Sequence, residues 1–413
     1  VTDLLQIIFW LSVACVFYAY VGYPLTIGLL AHFFGRSVRM GGQAPQKFSI
    51  VVAAYNESAT IAARVHELLD LLHDWPDSEF VLVSDGSTDG TLEAALHAAR
   101  SSECESRFVP VRLAQNSGKA VALNTGVAVA AQPIIIFADA RQTWTPQTIP
   151  RLLAPFADPD VGAVSGDLIL QAPDGALAGV GLYWRMEKWL RVREGLIHST
   201  IGATGAISAV RKALYEPLRP GTILDDVCWP AAVALAGKRV VHEPLALAYD
   251  HLPSRPRDEF RRKVRTLSGN LQLLQLKPQI LRPWSNPILF GFLAKKLLRL
   301  AVPWAMLTAL AASLVLPLLL PAPLRWVYLA AAAAQLALYA LGAGALISTA
   351  AARFRIPATI ASLLVLNAAA FCAFWTWMTG RCDRAWKKPV YDQVTLKAGS
   401  ALAKPKLPLA SAE

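Results

Sequence analysis

The sequence predicts an α/β domain, with a mostly parallel sheet covered by helices on both faces, set between apolar helical segments. Three observations carry this. Between residues 48 and 153, short apolar runs alternate with amphipathic stretches of helical spacing. Repeated β-α pairs of this kind build parallel sheets. The hydrophobic content is 54%, above the usual share for a soluble domain, and the excess sits at the two ends of the chain. A strongly basic segment lies between the α/β region and the second apolar group.

Residues 4–34 are almost free of charge. The run exceeds the ~20 residues that cross a bilayer, so one tilted helix fits, with Pro24 as the place for a kink. It has no basic n-region and is too long for the core of a signal peptide, so it reads as a span. Three further apolar runs follow at 304–321, 326–347 and 356–379, with Trp and Tyr near their ends as interfacial anchors. In the middle, FSIVVAAYN (48–56), FVLVSDGS (80–87), RFVPVRL (107–113) and IIIFADA (134–140) read as strands. The helices between them run to His73, through TLEAALHAAR, through GKAVALNTGVAVA and beyond Pro146. VCWPAAVALAG reads as a helix lasting until Gly237. FRRKVRTLSGNLQLL sets Phe260, Val264, Leu267, Leu271 and Leu274 at helical spacing. That helix is apolar on one side and basic near its start, which suits a membrane interface.

The cysteines Cys15, Cys104, Cys228, Cys372 and Cys382 are odd in number and form no C-x-x-C pair. This argues against a zinc site or a disulfide framework, and for a reducing cytosol around the middle of the chain. The net charge of +11 is uneven, since residues 255–299 hold eleven Lys/Arg against two acids. Beside a membrane, such a surface suits anionic headgroups. No nucleic-acid module accompanies it. The apolar runs carry almost no charge, against a transporter or channel. No G-x-G-x-x-G follows the first strand, NSGKA has Leu113 and Ala120 where a phosphate loop needs Gly and Ser/Thr, and DGSTDG leads to Leu96 where a calcium loop needs glutamate.

In open α/β sheets, ligands bind outside the carboxyl ends of the strands. Asn56, Asp85 and Asp139 all fall there. Two readings stand for Asp139: a metal ligand, or simply the end of a strand. A second aspartate two residues on would share an ion, and Arg141 stands in that place. Asp85 and Asp89 also suit capping; Asp89 is assigned to the cap and Asp85 to a ligand. Lys119 opens a helix whose N-terminus attracts anions.

VVAAYNE, VSDGSTDGT, NSGKAVALNTG, the strand ending in Asp139, GATGAISAVRK, LDDV and FRRKVRTL occur in this order. Together, and over nearly the whole chain, they resemble the membrane-embedded family-2 glycosyltransferases, the group that includes hyaluronan, chitin, cellulose and poly-N-acetylglucosamine synthases. The resemblance implies a GT-A domain with a mixed sheet, standing on transmembrane helices. Its parts are an N-terminal span in residues 1–35, a cytoplasmic GT-A domain in 46–252, basic amphipathic interface helices in 253–300, three spans in 301–380 and a basic tail in 381–413. It implies transfer of a sugar from a nucleotide-diphosphate sugar, a UDP-sugar by the pattern of the group, to an acceptor hydroxyl in glycan synthesis at the inner membrane. Mg2+ or Mn2+ would act with the diphosphate.

By position in these motifs, Asp85 holds the uracil or ribose, and Tyr55, Asn56 and Glu57 complete the nucleoside pocket. Lys119 meets the diphosphate. Asp139 matches the first aspartate of the Asp-x-Asp motif and would be the metal ligand. Arg141 replaces the second, either as a fixed positive charge near the phosphates or as a partner of Asp225. Asp226 closes the motif that the group writes Thr-Glu-Asp, here Leu224-Asp225-Asp226, and matches the catalytic base. Asp225 is either a helix N-cap or the neighbouring carboxylate that raises one pKa of the pair. The Gln-x-x-Arg-Trp motif reads Arg262-Lys263-Val264-Arg265-Thr266. Arg265 matches the arginine that meets the diphosphate, with Arg262 in the place of the glutamine. Thr266 replaces the tryptophan on which processive enzymes stack the acceptor sugar, so single addition to a lipid-linked acceptor stands beside polymer synthesis. Arg36, Arg39, Lys47, Arg353 and Arg355 put the catalytic domain in the cytoplasm. RCDRAWKK, after four alternating spans, runs against the same rule.

Overall fold

The computed structural model describes residues 1–39, 41–171, 180–251 and 256–380. Arg255, Cys382 and the basic tail 381–413 lie outside the described residues. Helix α1 (Thr2–Phe17) passes through a π-turn at Tyr18–Gly22 into α2 (Tyr23–Phe34). Pro24 lies at the start of α2, where its missing N–H does least harm.

The α/β region begins with β1 (Ser49–Ala54), α3 (Ser58–Leu71), β2 (Glu79–Asp85), α4 (Thr91–Arg100), β3 (Phe108–Leu113), α5 (Lys119–Val129) and β4 (Ile134–Ala138). Every residue of β1 and β4 is buried, as expected of parallel strands covered on both faces. Side chains alternate between two cores. Ile50 and Val52 pack with Ile61, Val65 and Leu68 of α3, whereas Val51 and Ala53 pack with Leu123 and Val127 of α5. α5 lies so close to the sheet that a Cβ at Gly126 would stand 2.5 Å from Val51 Cγ1.

The chain continues through β5 (Thr143–Trp144), α6 (Thr148–Leu153), β6 (Val161–Gln171), α7 (Val180–Ile197), β7 (Ile207–Arg211), α8 (Asp225–Leu235) and β8 (Arg239–His251). The sheet order is β3-β2-β1-β4-β7-β6-β8-β5. The strands β3, β2, β1 and β4 are mutually parallel. β7 then runs antiparallel between β4 and β6, and the sheet becomes mixed. The carboxyl edge of the parallel half therefore faces elements supplied by the second half.

α9 (Pro256–Leu276) has a second task besides its amphipathic surface. Gln272 Oε1 accepts from the Ile223 N–H (3.0 Å), its Nε2 donates to the Gly221 carbonyl (2.9 Å), and Gly269 packs against Leu224. α9 thus braces the segment that enters α8. α10 (Leu289–Gly291) passes through a π-turn at Phe292–Leu297 into α11 (Leu298–Leu319), followed by α12 (Leu324–Ile347), α13 (Thr349–Ala352) and α14 (Arg355–Met378). Four helical stretches are long and apolar enough to cross a membrane: Thr2–Phe34, Leu289–Leu319, Leu324–Ile347 and Arg355–Met378. Buried charge joins them to the α/β domain. Lys295 pairs with Glu194 of α7 (3.0 Å) and with Glu187 (3.4 Å), Arg299 pairs with Glu187, and Tyr23 Oη donates to Glu194 (2.7 Å). Breaking such a pair on one side leaves an uncompensated charge, so these contacts fix the domain against the helices.

Candidate active site

The turns after β1 and β2 are tied together. Asn56 has a φ of 52°, which asparagine tolerates better than most residues. Its Oδ1 accepts from the Thr88 N–H (2.9 Å), and its own N–H donates to Ser87 Oγ (3.1 Å). The Glu57 N–H donates to Thr91 Oγ1 (2.8 Å), and half-buried Tyr55 precedes this turn. Asp89 accepts from the N–H groups of Ser58 (3.0 Å) and Thr91 (3.1 Å), the first residues of α3 and α4, although Gly90 holds the N-cap position of α4. Asp85 is fully buried. One of its oxygens accepts from the Ser117 N–H (2.8 Å) and the other from the Gly118 N–H (2.9 Å). It holds the loop that opens α5. Gly86 passes under the same loop, with 2.3 Å between a built Cβ and the Asn116 nitrogen.

That loop aims Lys119. Its ammonium lies 3.0 Å from Asp139 Oδ1 and 3.3 Å from Asp225 Oδ2. Burial alone would favour the neutral amine, but Asp139, Asp225 and Asp226 together raise its pKa. Burial likewise opposes the charge on Asp139, and Lys119, Arg141 and Arg64 overcome it and hold its carboxyl below the ordinary value. Arg141 therefore works on Asp139, while Asp225 is engaged by Lys119.

The N-cap reading of Asp225 is corrected. Leu224, at φ −107° and ψ 73°, is the last non-helical residue, and Asp225 is already in the helix. Its carboxylate turns to Lys119 instead of the backbone. Asp226 follows, against the loop 201–205. The Ala203 N–H donates to its carbonyl (2.7 Å), and a Cβ at Gly205 would stand 3.5 Å from Lys119 Nζ and 3.9 Å from Asp226 Oδ2. Burial, and then Asp225, push the Asp226 carboxyl up to about 6, against Lys119, Lys296 and Arg191. A carboxyl raised in this way suits a proton acceptor near neutral pH.

Arg265 is half-buried one turn before Gly269, on the face of α9 turned to Leu224. Arg262 is exposed and donates to Glu259 one turn back on the same helix (2.8 and 3.0 Å). Thr266 is exposed.

Three cations were missed by sequence reasoning. Arg64 is buried, donates from Nε to the Asp139 carbonyl (3.2 Å), pairs with Glu67 (2.9 Å) and lies 4.7 Å over the Trp144 ring. Its signal was available: it falls on the apolar stripe of Ile61, Val65 and Leu68. Lys296 interrupts a long apolar run, a comparable signal. Arg191 left none, because it lies among other charges on α7.

A parallel half-sheet with its carboxyl edge open, crossed by a second half that carries an acidic helix start over that edge, is the GT-A arrangement of nucleotide-sugar enzymes. Residues 49–216 match the family model of Glycosyl transferase family 2, so this part of the chain is similar to that family. It is 24% identical over 263 residues to a poly-beta-1,6-N-acetyl-D-glucosamine synthase of Staphylococcus aureus, across 60% of this chain and 62% of that one. The corresponding synthase of Staphylococcus epidermidis is 24% identical over 249 residues, 58% of this chain and 59% of that one. The chain thus spans about three fifths of the length of these relatives. Among solved structures, a mannosyltransferase from Pyrobaculum calidifontis, in complex with GDP-Man and Mn2+, superposes with a TM-score of 0.69 at 22% identity, over 91% of this chain and 99% of that one. The fold likeness extends to the apolar helices.

Proposed function

We propose that this protein transfers a sugar from a nucleotide-diphosphate sugar to an acceptor hydroxyl in the synthesis of a cell-surface glycan, with Asp226 as general base. The carrying observation is the Asp226 carboxyl, raised to about 6 beside a lysine held by two other carboxylates. The acceptor oxygen attacks the anomeric carbon as its proton passes to Asp226. The bond from that carbon to the diphosphate breaks, and nucleoside diphosphate leaves. Lys119, Arg141 and Arg265 take up the charge that develops on it. The turn Tyr55-Asn56-Glu57 and the loop held by Asp85 form the nucleoside side. A base that titrates near 6 is ionised above that pH and protonated below it. kcat/KM is therefore expected to fall about tenfold per pH unit below about pH 6. A profile flat down to pH 5 removes Asp226 from the role.

The donor set suits a divalent ion. Asp139 and Asp225 both turn an oxygen to one cationic point, the Lys119 ammonium, and hard oxygens of this kind, with those of a diphosphate, are what Mg2+ or Mn2+ takes. Among the described residues no group of three His, Cys, Asp or Glu side chains suits a metal ion, so the diphosphate would complete the shell. The ion would act as a Lewis acid on the leaving group. The neighbour from Pyrobaculum calidifontis, solved with GDP-Man and Mn2+, supports the same reading of donor type and metal. Arg141→Asp is expected to tighten Mn2+ binding in the presence of nucleoside diphosphate and to slow turnover at saturating metal, because the fixed charge beside the leaving group is lost. Metal titration and rate against metal concentration measure this, with Asp139→Ala expected to abolish the metal dependence. If Asp139→Ala stays fully active, Asp139 only ends a strand.

The Staphylococcus relatives, named as synthases of a polymer, support glycan synthesis. Thr266, in the place of the stacking tryptophan, favours a second reading: single addition to a lipid-linked acceptor. Arg265→Ala is expected to weaken donor binding or slow chemistry through the lost charge. Thr266→Trp is expected to lengthen products if the missing aromatic limits extension. Unchanged product length rules that cause out. The basic residues after the first apolar stretch support a cytoplasmic catalytic domain at the inner membrane. Nucleoside diphosphate released from a panel of UDP- and GDP-sugars identifies the donor.

A further inference from the structure

The seam between α7, the π-turn Phe292–Leu297 and the loop 201–205 holds five cations, and three have carboxylate partners. Lys188 pairs with Asp167 (2.7 Å), Lys295 with Glu194 and Glu187, and Arg299 with Glu187. Lys296 has no hydrogen bond or ion pair among the described residues, and Arg191 has only the Thr204 hydroxyl (2.7 Å). Both side chains are partly exposed, so they line accessible space.

That space adjoins the base. The loop 201–205 touches every party. A Cβ at Gly291, just before the π-turn, would stand 2.7 Å from Ile201 Cδ1, and one at Gly202 would stand 3.1 Å from the Asp226 carbonyl oxygen. Thr204 takes Arg191, and Gly205 abuts Lys119 and Asp226. Lys296 and Arg191 both act on Asp226 electrostatically, yet neither is within ion-pair distance of it. Lys119, by contrast, is held by Asp139 and Asp225 (3.0 and 3.3 Å). Buried His242 also faces Arg191, Lys188 and Lys295, and burial and these cations hold it neutral. It therefore supplies no counter-charge. Two cations beside a catalytic carboxylate, neither in an ion pair although Glu187 acts on both from a distance, can take an anionic group. Lys296 belongs to Leu289–Leu319, an apolar stretch long enough to cross a membrane, so that group arrives at the bilayer boundary.

We propose that Arg191 and Lys296 form an acceptor subsite that binds the phosphate headgroup of a lipid-linked acceptor, beside Asp226 and apart from the donor diphosphate. The proposal rests on the reading of Asp226 as the base of a glycosyl transfer. The phosphate docks and does not react. The hydroxyl carried next to it loses its proton to Asp226 and takes the sugar.

The test uses the full chain in phosphatidylcholine nanodiscs and measures binding of farnesyl phosphate, farnesol, inorganic phosphate, UDP and GDP. Farnesyl phosphate is expected to bind at least about tenfold more tightly than farnesol or inorganic phosphate, one tenfold step being the usual scale of a charge-assisted hydrogen bond. Lys296→Gln and Arg191→Gln are each expected to remove that preference, and Lys296→Arg to keep it. Nucleoside diphosphate binding, unchanged in the variants, reports that they are folded. If inorganic phosphate binds as well as the lipid, the ligand is not a lipid headgroup. If Lys296→Gln, still binding nucleoside diphosphate, keeps full affinity for farnesyl phosphate, the subsite is wrong. Lys296→Gln that binds neither ligand, with Lys296→Arg likewise inert, makes Lys296 a structural residue and overturns the assignment. Separately, a protein that binds farnesyl phosphate through Lys296 but releases no nucleoside diphosphate from any sugar donor refutes the transferase reading and leaves the subsite standing.

Discussion

Asp226→Asn is expected to lower the rate of sugar transfer by about 10²–10⁴-fold, the range that a positioned general base contributes, while nucleoside diphosphate binding stays near that of the unaltered protein. The amide keeps the shape and removes the proton acceptor. It also removes the carboxyl that burial and Asp225 push up to about 6, so the acid limb of the pH profile is expected to vanish with the activity. Donor titration and turnover measured together separate the two effects. A variant that retains more than about a tenth of the turnover excludes Asp226 as the base. Asp225→Asn is the useful companion. Its carboxylate raises the pKa of Asp226, so its loss is expected to shift the acid limb of the remaining activity downward in pH, with weaker metal dependence from the lost oxygen ligand.

Lys119→Met is expected to act at two places. The ammonium is the shared partner of Asp139 and Asp225, at 3.0 and 3.3 Å, and it is also aimed at the edge where the diphosphate would lie. Without it, donor-dependent turnover is expected to drop by about 10²–10³-fold, as when one preorganised donor to a developing charge is lost. Asp226 loses a cation that holds its pKa down. The acid limb is therefore expected to move to higher pH, because the base then needs a higher pH to ionise. Leaving two carboxylates without their counter-ion is expected to cost ~1–3 kcal/mol of stability, seen as a lower Tm. A variant with an unchanged pH profile and unchanged donor affinity sinks the idea that Lys119 links donor and base.

The sequence alone determined the layers of this protein. Apolar runs such as IVVAA and IIIFA can be satisfied only by burial on both faces, and helical stretches between them leave a parallel sheet as the solution. The residues that end those runs, Asn56, Asp85 and Asp139, fall at one edge for the same reason, and uncharged runs of more than ~20 residues declare themselves by length. Tertiary structure decided which polar groups meet. Lys119 and Asp139 are 20 residues apart, and Asp225 comes from beyond β7, so no local pattern connects them. Asp225 and Asp226 are equal as letters. They differ because the first turns to Lys119 and the second packs against the loop 201–205, so their neighbours are unequal. Asp85 looked like a free ligand until its oxygens were seen on the amides of Ser117 and Gly118. Arg64, Arg191 and Lys296 drew no assignment from the sequence. Periodicity reports what is apolar and how often, whereas a charge acquires its partner, its pKa and its use only when distant segments are packed beside it.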